Sequence, residues 1–381
     1  MIDKNGLVTR YLAVSNFMKK FREKQAAKKV SEWFNLRPYL GYYNWCIFYA
    51  ILGGREIGKS YSVTDFFTHQ FVYDGTPFVW LRLTETAAAK LLANNAEKLV
   101  DPDIRRRYNL DLRTKGNNVY AVETEDKVVK HKDGSETIKK VVVKKTLMAR
   151  VYALSTFYND KGSIFDKDFL KFFKNYNIAI DEFEKEKGER NTFDIVYSLV
   201  NQLENLVRST KDHIRIFFLG NTLEEASDVL CAFNFIPEKW GVFKLKSKRA
   251  VIVNIEPTEG YLKRRKGTIA DILLPNASTF TNKIDTDNTL LYQGRLKEPE
   301  YVIKFTKDKN DWFTVWDGNI IKKYNGEKKN VIPMRPYLDA VYQPKLVNNI
   351  ITLFDTRSFM FNNLITFKQF QSCLELLKPR K

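Results

Sequence analysis

Histidine and cysteine are scarce in this chain, with three of each among 381 residues. Cys46, Cys231 and Cys373 lie far apart without metal-ligand spacing. That argues against a zinc site or a disulfide scaffold and fits a reducing, intracellular setting. No stretch approaches the ~18 consecutive apolar residues of a spanning helix, so no membrane partner is expected. The opening Met1-Ile2-Asp3-Lys4 lacks the basic-then-apolar layout of a secretory signal. Acids are also in deficit, 45 against 63 Lys plus Arg, which leaves a net charge of +18. Such an excess points to a polyanionic partner, because Lys and Arg gain affinity by releasing phosphate counterions. The plainer reading of the same charge is solubility and solvated helix faces.

Apolar material is ample: 44% of residues are hydrophobic and 14% aromatic, which excludes a mostly disordered chain. The length suits two or three domains at roughly 100–200 residues each. Residues 1–40 carry Tyr11, Phe17, Phe21 and Trp33 interleaved with Lys19, Lys20, Arg22, Lys24, Lys28 and Lys29, a basic helical arm. Residues 41–245 alternate short buried-strand runs with helical ones, which predicts a parallel α/β sheet. The runs are 45–52, 78–83, 178–180 and 214–219. Alternating Val, Lys and Glu over about 117–150, around Lys132-Asp133-Gly134-Ser135, predict a long charged β-hairpin inserted in that domain. The basic stretch 246–275 reads as a linker. Beyond it, 276–381 holds short aromatic strands and a helix near 366–377, a smaller β-rich α+β domain.

Chemistry concentrates in Gly53-Gly54-Arg55-Glu56-Ile57-Gly58-Lys59-Ser60, which fits G-x-x-x-x-G-K-[ST]. The glycines let backbone N–H groups wrap a phosphate, and the helix that follows offers its N-terminus to the same anion. Lys59 then reaches the β- and γ-phosphates of ATP and the Ser60 hydroxyl ligates Mg²⁺. The apolar run Asn177–Ile180 ends in Asp181-Glu182. Asp181 suits the metal and Glu182 the attacking water. A glutamate directly after the aspartate marks the catalytic-glutamate (ASCE) type of P-loop NTPase core. Asn221, ending a third apolar run, suits a γ-phosphate sensor or, alternatively, a turn or helix cap. Arg55 suits either a switch between phosphate and carboxylate or a solvent-facing position.

On Gly53–Tyr61, Ile180-Asp181-Glu182-Phe183 and Leu219-Gly220-Asn221, the sequence resembles the DNA-packaging ATPases of small podophages with protein-primed genomes. The resemblance covers about residues 40–240, and it adds Tyr61 to the nucleotide-binding positions. It implies an ATP- and Mg²⁺-dependent motor that moves double-stranded DNA into a preformed procapsid. The motor would act as a ring, usually pentameric, on the portal (connector) protein in the host cytoplasm, with room for a packaging RNA. It implies that Lys161 and Arg208 act in trans on a neighbour's site, with Lys211 in place of Arg208 if the register slips. It further implies a C-terminal domain derived from an RNase H-like nuclease. The extended arm and the long hairpin are departures from the family pattern. Lys139, Lys140, Lys144, Lys145 and the linker lysines are candidates for gripping DNA, or a solvated face. Rival readings are a terminase-like ATPase with a working nuclease, an FtsK–HerA-type translocase, and a docking protein that holds ATP as a structural ligand.

Overall fold

In the computed structural model the described residues are 33–130, 136–157, 177–183, 196, 198–201, 214–221, 227–237, 239–275, 290–334, 344–375 and 377. Among them the helices are α1 (Arg37–Tyr42), α2 (Lys59–Asp74), α3 (Glu85–Ala96), α4 (Pro102–Tyr108), α5 (Leu154–Phe157), α6 (Asp228–Ala232), α7 (Glu259–Arg265), α8 (Ile269–Leu273), α9 (Pro344–Asp355) and α10 (Leu364–Glu375). The strands of a first sheet are β1 (Phe48–Leu52), β2 (Phe78–Arg82), β3 (Asp111–Lys115), β4 (Asn118–Lys130), β5 (Glu136–Ala153), β6 (Asn177–Asp181), β7 (Arg215–Gly220), β8 (Gly241–Leu245) and β9 (Ala250–Asn254). A second sheet holds β10 (Pro299–Lys304), β11 (Trp312–Trp316), β12 (Ile320–Lys323), β13 (Val331–Pro333) and β14 (Met360–Phe361).

The first sheet runs β3-β4-β5-β2-β6-β7-β1-β9-β8. From β5 to β9 every pairing is parallel, so helices must cover both faces. The alternation of side chains along each strand divides the core accordingly. Tyr49, Ile51, Trp80, Phe217 and Val251 face α2 through Val63, Phe67 and Phe71. Ala50, Leu81, Ile178, Phe218 and Ile252 face Leu199 and Leu230 on the other side. The α2 face is dense in rings: Phe67 lies 5.1 Å from Phe78 and 5.2 Å from Phe217, and Tyr49 stacks on Phe217 at 5.0 Å.

The hairpin is present as β4 paired antiparallel with β5. Only its base is integrated: β3 pairs with β4 up to Val122, and β2 pairs with β5 from Ala149 onward. Beyond those points the two strands run on as an exposed ribbon, and its turn, 131–135, lies outside the described residues.

One boundary needs correction. The linker was expected from 246, yet β9, Ala250–Asn254, is buried throughout and pairs with β1 inside the first sheet. Its four-residue apolar run, Ala250–Val253, follows Lys244, Lys246, Lys248 and Arg249, and that basic stretch masked it. Helix α3 is interrupted, with non-helical Ala93, Asn94 and Asn95 inside it.

The second sheet has the order β13-β10-β11-β12-β14, with β10-β11-β12 antiparallel and β13 and β14 parallel to their neighbours. Its core gathers Ile303, Phe313, Val315 and Ile321 under α9 and α10, with Phe370 edge-on to Phe305 and Phe313. Lys368 on α10 approaches Asp228 on α6 at 3.8 Å, linking the two sheets' layers. Among the aspartates of the C-terminal half, Asp317 accepts the Lys297 and Glu298 N–H groups at the β11–β12 turn, and Asp355 ends α9. Asp285, Asp287 and Asp339 lie outside the described residues. No described helix is long and apolar enough to cross a membrane.

Candidate active site

The strand order decides which side chains meet. β7 lies between β1, which leads into the glycine loop, and β6, which ends in Asp181. The carboxyl ends of these three parallel strands therefore open onto one cleft of about 440 Å³, lined by residues 55–61, Asp181, Glu182 and 219–221. Gly58, at φ +93, starts α2 with no side-chain cap, so the first N–H groups of the helix stay available to an anion. Gly53 is tight for a different reason: a β-carbon there would sit 3.0 Å from Ile255.

Lys59 is buried, and its Nζ donates to the carbonyls of Gly53 at 2.6 Å and Gly54 at 2.9 Å. It also donates to Asn221 Oδ1 at 3.2 Å. Asn221, just past the end of β7, therefore touches the lysine of the loop. The Ser60 hydroxyl donates to Asp181 Oδ1 at 3.2 Å. Two hard oxygen donors so placed, one neutral and one anionic, suit Mg²⁺. Burial pushes the Asp181 carboxyl up, and Arg82 opposes the shift. Glu182 follows at φ +52 with its N–H bonded to Leu219 O at 2.8 Å. A left-handed, non-glycine residue costs about 1–3 kcal/mol, and here the β6–β7 pairing holds it while the carboxylate turns into the cleft.

Sequence reasoning missed Arg82. It ends β2, the neighbour of β6, and its guanidinium lies 2.9 Å from Asp181 Oδ2 while its other Nη hydrogen-bonds Glu182. The available signal was a cation closing the apolar run Phe78–Leu81. Its pairing with the acids depends on strand order, which the sequence does not display.

The loop is also held from outside. Tyr261 on α7 donates to Arg55 O at 2.8 Å, Arg264 to Glu56 O at 3.3 Å, and the Phe34 N–H to Ile57 O at 2.9 Å. Arg265 forms an ion pair with Glu56, and Arg264 lies 3.8 Å over the Trp33 ring. Two of the cations read as belonging to a linker thus face the glycine loop. Tyr61 lines the cleft, but its hydroxyl donates to Asp103 at 2.7 Å and accepts from Arg107 at 2.8 Å. Arg107 also pairs with Asp65 at 2.8 Å, so Tyr61 braces α2 against α4. Lys161, Arg208 and Lys211 lie outside the described residues.

This arrangement can be set beside known proteins. The phage Phi-28 gp11 DNA packaging motor is similar with a TM-score of 0.62 and 15% identity, over 92% of this chain and 99% of that one. The bacteriophage Phi-29 viral genome packaging motor assembly is similar with a TM-score of 0.59 and 19% identity, over 91% and 100%. The chain has the fold of phage DNA-packaging motors. The likeness spans both sheets, so it reaches past the glycine loop and the acidic pair into the C-terminal half, where the sequence resemblance had no motif. No protein-family model matches the chain, and no curated protein does.

Proposed function

We propose that the protein is an ATP-hydrolysing motor that moves double-stranded DNA into a preformed phage capsid. It would act as a homo-oligomeric ring, pentameric by resemblance, on the portal of the procapsid in the host cytoplasm, with a packaging RNA as a further candidate partner. The observation that carries the hydrolytic part is the cleft at the ends of β1, β6 and β7, where Lys59, Ser60, Asp181, Glu182 and Asn221 converge. The packaging part is supported by the shared two-sheet fold and by the net charge of +18.

In this reading the loop amides and Lys59 bind the β- and γ-phosphates, and Asn221 meets the γ-phosphate beside Lys59. Ser60 and Asp181 would hold Mg²⁺, which supplies positive charge to the phosphate oxygens. Glu182 orients the attacking water and takes its proton. Lys161 and Arg208 are assigned by resemblance to a neighbour's site, where a cation stabilises charge that builds on the transferred group.

The test is steady-state ATP hydrolysis by the full chain, with and without long double-stranded DNA. Glu182→Gln is expected to bind ATP while turnover falls by about 10²–10⁴-fold, the range of general acid–base catalysis. Lys59→Ala is expected to lose nucleotide affinity. Wild-type turnover that survives intact in Glu182→Gln removes the catalytic assignment. Turnover indifferent to DNA and to portal-bearing procapsids removes the motor.

A further inference from the structure

Glu56 sits in the middle of the phosphate-binding loop at φ +62, and it lines the same cleft as Lys59 and Ser60. Both features work against the loop's task. A β-carbon in the left-handed region is strained, and a carboxylate beside a phosphate site repels the ligand. Both are answered by α7. Arg265 pairs with the Glu56 carboxylate, its own side chain only 11% exposed. Arg264 takes the Glu56 carbonyl and Tyr261 the Arg55 carbonyl. A loop that turns its amides toward an anion turns carbonyls outward, and α7 holds two consecutive ones.

We propose that Arg265 is a positioning residue for nucleotide binding. It neutralises the loop's own carboxylate and keeps it off the amides that receive the β- and γ-phosphates, so affinity for a nucleoside triphosphate depends on a helix outside the loop. The proposal rests on reading the cleft as an ATP site.

Titration calorimetry of the full chain with Mg²⁺-ATP tests it. Arg265→Gln keeps much of the packing stem and removes the charge, and it is expected to weaken binding about tenfold or more, the loss of about one decade in Kd. Glu56→Gln/Arg265→Gln leaves no carboxylate to neutralise, and it is expected to return to within about threefold of wild type. Arg265→Lys keeps the charge and is expected to stay within the same margin. A purely structural role in packing α7 gives no rescue by Glu56→Gln. Absence of rescue, or wild-type affinity in Arg265→Gln, overturns the proposal. A wild-type chain that binds no ATP overturns the reading of the cleft first and this proposal with it, a result distinguishable from the other two.

Discussion

The Arg82 guanidinium lies 2.9 Å from the Asp181 carboxylate. That contact joins the ends of adjacent parallel strands, β2 and β6, and favours the ionised form of the acid assigned to the metal. Burial is the largest influence on Asp181 and raises its pKa, Arg82 lowers it, and Glu182 raises it again. Removing Arg82 therefore moves the Asp181 pKa further up. Metal binding needs the ionised carboxylate, so Arg82→Ala is expected to shift the acid limb of the kcat/KM–pH profile to higher pH. Arg82→Lys, which keeps a charge but not the fork that reaches both acids, is expected to fall between. An acid limb unmoved in Arg82→Ala would show that another group controls it.

The same raised pKa has a consequence for stability. A group whose folded pKa exceeds its unfolded value binds protons more tightly when folded, so its stabilising contribution is full below the unfolded pKa. It is lost as pH rises through the folded pKa. Above that folded pKa, the buried Asp181 charge is a cost to the fold. Asp181→Asn is therefore expected to raise the melting temperature at pH 8 in nucleotide-free, EDTA-containing buffer. The gain should shrink as pH falls toward the ordinary carboxylate range, while Mg²⁺-dependent turnover is lost. Thermal melts across pH check this, and a lower melting temperature for the variant at pH 8 contradicts it.

Charge on the surface gives a separate expectation for DNA. Arg264 and Arg265 face the glycine loop, whereas Lys263 and Lys266 on the same stretch are exposed. On the ribbon, Lys144 pairs with Glu123 at 2.7 Å and Lys145 lies over Tyr120. Of these candidates, the exposed pair at the C-terminal end of α7, Lys263 within it and Lys266 just past it, suits phosphate contact better. Each phosphate neutralised contributes about −0.9 to the slope of log K against log salt on duplex DNA. Lys263→Ala/Lys266→Ala is expected to make that slope shallower by about 2 and to weaken binding alike on unrelated sequences. An unchanged slope moves the contact elsewhere, with the ribbon lysines next to test.

How much of this was legible in the sequence depends on how local each feature is. The loop from Gly53 to Ser60 is contiguous, so its spacing alone carries the chemistry. Asp181-Glu182 is also contiguous, and the apolar run before it announces a buried strand. Asn221 could be named but not decided, because its value depends on β7 lying between β1 and β6. Arg82 needed the same strand order and was passed over as the end of a strand. Basic residues at 244–249 and 263–266 suggested a linker, which hid both β9 in the sheet and α7 against the loop. The low identity to the packaging motors, 15% and 19%, fits a fold maintained by apolar alternation and strand order, neither of which needs particular side chains.

Gly220 supplies a test of how Glu182 is aimed. A β-carbon at Gly220 would lie 2.7 Å from Phe183 Cε1 and 3.0 Å from Cζ. Phe183 cannot step back easily, being 1% exposed and edge-on to Phe218 at 5.8 Å. It is bonded directly to Glu182, whose backbone is pinned to Leu219, so a displaced ring carries the Glu182 carboxylate with it. Overpacking of this kind costs about 1–3 kcal/mol. Gly220→Ala is expected to lower the melting temperature and to reduce kcat more than ATP affinity, because Lys59 and the loop keep their own contacts. Phe183→Leu in the same chain removes the ring that the methyl strikes, and Gly220→Ala/Phe183→Leu is expected to recover stability relative to Gly220→Ala. Wild-type melting and turnover in Gly220→Ala would mean that the Phe183 ring moves freely and that something other than its packing fixes Glu182.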